Sequence, residues 1–131
     1  MERYARNVGA IFSLKTHLVW CPKYRRPVLD GCIASRFKEL LAEKAHEIGV
    51  TIHTAEVMPD HVHLFVEYEP TRCIAEIVNR FKGYSSRILR TEFPSLRRRL
   101  PTLWSRSYFA ASVGSVTEAA IRKYIENQKG Q

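Results

Sequence analysis

The segment Val57-Met58-Pro59-Asp60-His61-Val62-His63-Leu64-Phe65-Val66 reads as the end of one strand, a tight turn and the start of another. Successive side chains on a strand point to opposite faces. His61 and His63 therefore share one face, and Val62, Leu64 and Val66 share the other. Met58-Pro59-Asp60 is a short turn, so Val50–Val57 is expected to pair antiparallel with His61–Tyr68. Two imidazoles on one face of a rigid strand supply half of a divalent-metal site.

On either side of this hairpin the pattern alternates between strands and helices. Ala10–Cys21 reads as a strand with Phe12, Leu14, Thr16, Leu18 and Trp20 on one face. Pro22-Lys23-Tyr24-Arg25-Arg26-Pro27 is a basic loop bounded by prolines. A helix is expected from near Cys32 to Ile48, with Ile33, Phe37, Leu40, Leu41, Ala45 and Ile48 as its apolar stripe and Gly49 as its stop. After the hairpin, Thr71 is a candidate N-cap for a second helix. Its stripe is Ile74, Ile77, Val78, Phe81, Tyr84 or Ser85, and Ile88, and Pro94 ends it. Ser95–Pro101 reads as a basic connection, and Leu103–Val113 as a fourth strand rich in aromatics. Ser115-Val116-Thr117-Glu118 is a capping box that launches a last helix ending near Lys129-Gly130.

The order is β-α-β-β-α-β plus a terminal helix. The expected fold is α+β: a split βαβ arrangement, ferredoxin-like or RRM-like, with two helices on one face of an antiparallel sheet. Its C-terminal helix carries Tyr124. The length, 131 residues, fits a single domain spanning 1–131. No apolar run approaches the roughly 20 residues of a membrane span. The first residues, Met1-Glu2-Arg3-Tyr4-Ala5-Arg6, lack the apolar segment of a signal peptide. Cys21, Cys32 and Cys73 are odd in number and form no Cys-x-x-Cys pair. They read as reduced thiols in a cytoplasmic protein.

The net charge is +8 and unevenly spread. From Arg72 to Arg106 nine basic residues face only Glu76 and Glu92, so that window carries 9 − 2 = +7. Concentrated positive charge points to a polyanionic partner, nucleic acid first among them. A solvated basic face that only aids solubility is the plainer reading.

Tyr124 and Gln128 lie four apart on the expected last helix and so share a face. A phenol beside a carboxamide oxygen could complete the histidine pair as nucleophile and third ligand for cutting a phosphodiester. Two nitrogens and one oxygen suit manganese or magnesium at a phosphate, although raw affinity favours zinc or copper. A phenol is mostly neutral at pH 7, so a nearby cation or metal has to favour its phenolate. His17, His46 and His53 stand without such company and read as structural or surface residues. Trp20 reads as core. Trp104, Tyr108 and Phe109 interleave with arginines and are candidates for stacking on unpaired bases.

These residues bring the chain close to a known family. His61-Val62-His63 matches the His–hydrophobic–His signature of the single-tyrosine HUH transposases of the IS200/IS605 insertion-sequence family, which the sequence resembles. The likeness extends through His17-Leu18-Val19-Trp20-Cys21-Pro22-Lys23-Tyr24-Arg25 and Met58-Pro59-Asp60-His61-Val62-His63-Leu64. It continues in Phe81-Lys82-Gly83, Leu103-Trp104-Ser105 with Tyr108, and Lys123-Tyr124-Ile125 with Gln128. The resemblance implies a transposase that binds single-stranded DNA with hairpins at element ends. It implies Tyr124 as the nucleophile, forming a 5′-phosphotyrosine, and a divalent Mg2+ or Mn2+ held by His61, His63 and Gln128. It also implies a homodimer, with Tyr124 placed in cis or in trans, and no nucleotide cofactor.

Within that reading Arg80, Lys82, Arg87, Arg97 and Arg98 are candidate DNA contacts, and Lys23, Arg25 and Arg26 a second patch. The alternative is a noncatalytic or domesticated single-stranded nucleic-acid-binding protein. A replication initiator or relaxase would need more chain than 131 residues, and a small zinc hydrolase would have no use for Tyr124.

Overall fold

A computed structural model describes residues 5–7, 10–12, 14–112 and 118–130. Six strands and four α-helices are described: β1 (Ala5–Asn7), β2 (Ala10–Phe12), β3 (Lys15–Trp20), α1 (Gly31–Ile48), β4 (Thr51–Met58), β5 (His61–Glu67), α2 (Ile74–Glu92), α3 (Pro94–Arg99), β6 (Phe109–Ser112) and α4 (Glu118–Glu126). Four strands form an antiparallel sheet in the order β4-β5-β3-β6, and β1 and β2 form a separate pair. The sheet order and the crossovers through α1 and α2 are those of the expected α+β split βαβ fold.

The register explains where the histidines go. Val62, Leu64 and Val66 are fully buried, together with Leu18 and Trp20 of β3. They pack against Phe37, Leu40 and Leu41 of α1 and Ile77, Val78 and Phe81 of α2 in one apolar cluster. Both helices therefore cover this sheet face, and the alternation of β5 sends His61, His63 and Phe65 to the other. Trp104 also belongs to the core. It is 6% exposed, its indole N–H donates to Ser85 Oγ at 3.1 Å, and it meets Trp20 edge-on. It is therefore no stacking platform for unpaired bases.

Several boundaries differ from the sequence expectation. The expected strand Ala10–Cys21 divides into β2 and β3, and Leu14 between them is exposed. Thr71 is not the N-cap of α2. A turn closed by Arg72 N–H on Glu69 O takes up that segment, and Cys73 precedes the helix. The most buried positions of α2 include Ser85 and Leu89, whereas Ile88 is only partly buried. The basic connection after Pro94 is the short helix α3, started by a proline whose fixed φ suits a first helical turn. The fourth strand is only Phe109–Ser112; Trp104 makes an isolated bridge to Pro22. The last helix ends at Glu126, and Gln128 lies in the turn that follows. The capping residues 115–117 and the Phe12 side chain lie outside the described residues.

Candidate active site

His61 is fixed through its Nδ1, which donates to Asp60 Oδ1 at 2.8 Å. Asp60 Oδ2 lies 3.2 Å from Arg25 Nε, and Arg25 in turn donates to the Ile125 carbonyl of α4 at 3.3 Å. One polar chain thus runs from the histidine strand to the backbone beside Tyr124. Arg25 is held for this by an unusual backbone. Tyr24 and Arg25 both sit at positive φ, 59° and 53°, inside the loop between Pro22 and Pro27. Left-handed conformations are costly for non-glycine residues and persist where the surroundings enforce them.

His63 shares a hydrogen bond between its Nε2 and Nδ1 of His17, at 2.9 Å. Its Nδ1 is 3.9 Å from Glu56. Burial, and then the neighbouring His17, hold its pKa below the usual histidine value, so the ring is neutral at pH 7. His17 itself stacks on Phe65 with ring centroids 4.7 Å apart. His17 stands alone in the sequence pattern, and the antiparallel pairing of β3 with β5 supplies its partner.

Tyr124 and Gln128 meet at a residue the sequence reading passed over. Ser107 Oγ lies 2.8 Å from the Tyr124 hydroxyl and donates to Gln128 Oε1 at 2.8 Å. Gln128 is buried, 6% exposed, although it follows the helix end. The Tyr124 ring contacts Phe109 at 5.9 Å between centroids. Burial pushes the phenol up to about 12. Cys21, fully buried on β3's outgoing end, is likewise pushed up to about 12 by burial.

The sheet register relates the two pairs. His63 faces Val19 across β5 and β3, and Val19 faces Phe109 across β3 and β6. His63, Val19 and Phe109 therefore lie in one cross-strand row about 10 Å wide. Tyr124 packs on the far end of that row.

The candidate DNA contacts fall into three groups. Arg26 and Arg25 line a concavity of about 460 Å³ with Tyr24, Pro27 and Lys129, and Lys23 lies over the Tyr24 ring at 5.1 Å. Arg97 and Arg98 are exposed on the last turn of α3. On α2, Arg80 lies 4.0 Å from Glu47 and Arg87 lies over the Tyr84 ring at 5.9 Å. Lys82 is turned inward: its ammonium donates to Ser105 O at 2.9 Å and Ser107 O at 2.8 Å. Burial lowers its pKa to about 8.

The donor set fits a divalent ion in kind. Among the described residues no three His, Cys, Asp or Glu side chains cluster for a metal, but a set with a glutamine oxygen is a different grouping. With Nδ1 held by a carboxylate, His61 presents Nε2. That is the outer-shell arrangement that orients a metal-bound imidazole. Gln128 offers the second lone pair of Oε1. Asp60 was visible in sequence only as the residue before His61, and an acid flanking a histidine pair is the signal that could have marked it.

Residues 10–128 match the family described as "Transposase IS200 like". The ISDra2 transposase TnpA of Deinococcus radiodurans is 41% identical over 122 residues, covering 92% of this chain and 87% of that protein. The transposase for insertion sequence element IS200 of Salmonella typhimurium is 32% identical over 119 residues, covering 89% and 78%. A crystal structure of a candidate transposase from Deinococcus radiodurans R1 superposes with a TM-score of 0.90 at 36% identity, covering 97% and 99%. The REP-associated tyrosine transposase bound to a REP hairpin shares the fold at a TM-score of 0.59 and 13% identity, covering 98% of this chain and 70% of that one. With its histidine strand, its tyrosine helix and a match across nearly its whole length, this chain belongs to the IS200-like transposases.

Proposed function

We propose that this transposase cleaves and rejoins single-stranded DNA through Tyr124. The observation that carries this reading is the cross-strand row His63–Val19–Phe109 with the Tyr124 ring packed on its end. It sets a phenol and an imidazole pair along one open sheet face. The phenolic oxygen attacks the scissile phosphorus, a Tyr124 O–P bond forms and the P–O3′ bond breaks. The phenol gives up its proton and the departing 3′ oxygen gains one. The phosphotyrosine retains the energy of the broken phosphodiester, so a different 3′-OH can reverse the step without ATP.

His61, His63 and Gln128 are the residues to hold a divalent Mg2+ or Mn2+. Such an ion would withdraw charge from the phosphate and orient it. Use of His63 Nε2 in that role requires the His17 hydrogen bond to give way, whereas Nδ1 needs no such change. The basic concavity beside α4 and the exposed arginines of α3 are surfaces for the phosphate backbone. Hairpin-bearing element ends are the proposed substrate, in keeping with the hairpin held by the REP-associated relative. A homodimer is the proposed working unit.

The test is a denaturing gel of labelled single-stranded DNA carrying the ends of the encoding element, incubated with Mn2+ and either wild type or Tyr124→Phe. A metal-dependent protein–DNA adduct in wild type only is expected. Equal adducts from both would remove Tyr124 from the role. DNA binding without any adduct would assign a noncatalytic binding protein instead.

A further inference from the structure

The excursion that carries Ser107 is built with unusual care. From the Val19–Phe109 pair to the Pro22–Trp104 bridge, one chain advances three residues and the other five. The longer side bulges out of the ladder, and Ser107 sits on that bulge. Backbone bonds fasten its root: Lys23 N–H to Leu103 O at 2.8 Å and Ser105 N–H to Cys21 O at 3.0 Å. The Lys82 ammonium then reaches from α2 to clasp the Ser105 and Ser107 carbonyls together. Sheet bulges commonly re-aim a side chain next to a working site.

The re-aimed group is one hydroxyl with two partners. A serine hydroxyl has a single proton to give, and a carboxamide oxygen can only accept. The proton of Ser107 goes to Gln128 Oε1 at 2.8 Å, so the Tyr124 hydroxyl must donate to Ser107 Oγ. This fixes the direction of the phenolic O–H and the orientation of the carboxamide at once. Ser107 is a poor base, because its own proton is held by an amide oxygen that cannot carry it away.

We propose that Ser107 is a positioning residue for strand transfer, holding the Tyr124 hydroxyl and the Gln128 carboxamide in fixed relation while Lys82 fixes Ser107. This rests on the reading of Tyr124 as nucleophile and Gln128 as ligand. It also gives Lys82 a role inside the protein in place of a direct phosphate contact.

Ser107→Thr and Ser107→Val have matched bulk and differ in the hydroxyl. Each is compared with wild type, Ser107→Ala and Tyr124→Phe in three measurements. These are the single-turnover adduct rate at saturating DNA, DNA affinity by fluorescence anisotropy, and Mn2+ binding to the DNA-free protein by the paramagnetic resonance of free Mn2+. The Val and Ala variants are expected to lose about 10- to 100-fold in adduct rate with DNA affinity unchanged. Their Mn2+ dissociation constant is expected to rise about 10-fold, and Thr to restore both. Equal rates for Thr and Val overturn the proposal, as does a parallel loss of DNA binding and rate in all three variants, which marks a structural role. Wild type without adducts overturns the nucleophile reading and this proposal with it. Wild type with adducts that Ser107→Val matches overturns this proposal alone.

Discussion

Asp60 and His61 are neighbours in the chain, yet their side chains cooperate because the turn before β5 brings the carboxylate back onto Nδ1. Removing that carboxylate frees the imidazole to rotate and frees Arg25 from its ion pair. Asp60→Ala is expected to weaken Mn2+ binding about 10-fold, read by resonance titration of the DNA-free protein; unchanged affinity would take Asp60 out of the orienting role. Tyr124 carries a second residue-level expectation. Its phenol is pushed up to about 12 by burial, so phenolate is a minor form at pH 7 before DNA or metal binds. Phenolate grows as pH rises, and the raised pKa keeps that growth from levelling off between pH 6 and 8. Single-turnover adduct formation is expected to climb about tenfold per pH unit from 6 to 8 where phenolate formation limits it, and a flat profile would contradict this. The residues named from sequence are those whose types announce chemistry: histidine, tyrosine, glutamine and the basic side chains. Ser107, His17 and Arg25 became visible as partners only through strand register and loop geometry, which no local pattern encodes.

At the level of elements, the strongly periodic segments were the legible ones. The stripe of α1 was read correctly because Phe37, Leu40, Leu41, Ala45 and Ile48 repeat at helical spacing, and Gly49 ends it at φ 73°. That left-handed cap predicts that Gly49→Ala costs about 1 kcal/mol, measured by urea unfolding; no loss would mean the cap relaxes freely. The β4–β5 hairpin was legible for the same reason, since β5 alternates strictly. The fourth strand was not. Apolar and aromatic residues continue from Leu103 to Val113, but Leu103 and Trp104 serve the core beside α2 while Phe109 serves the open face. The bulge between them has no sequence signature. The terminal helix was overextended because Gln128 looks like a fourth-position partner of Tyr124. The turn after Glu126 still delivers it to the same serine.

Across the whole molecule, the sheet separates two tasks. One face buries Leu18, Trp20, Val62, Leu64 and Val66 under two helices and stabilises the fold; the other carries His61, His63 and Phe65. No described helix is long and apolar enough to cross a membrane. The net charge of +8 was legible as attraction to a polyanion, but its distribution was less so. Arg25 and Lys82 are spent on internal contacts, while Arg97 and Arg98 face outward. Replacing Arg97 and Arg98 by Gln is expected to flatten the log–log salt dependence of single-stranded DNA binding by about 1.4, with little change in the adduct rate at saturation. An unchanged slope would remove α3 from the DNA surface.

The central claim is that Tyr124 forms the covalent bond to DNA. The most direct measurement is to trap the protein–DNA adduct, digest both polymers and locate the residual nucleotide by tandem mass spectrometry. A deoxynucleotide 5′-phosphate on the Tyr124 peptide is the predicted result. A nucleotide on any other residue, or a metal-dependent cleavage that leaves the protein unmodified, would contradict the account.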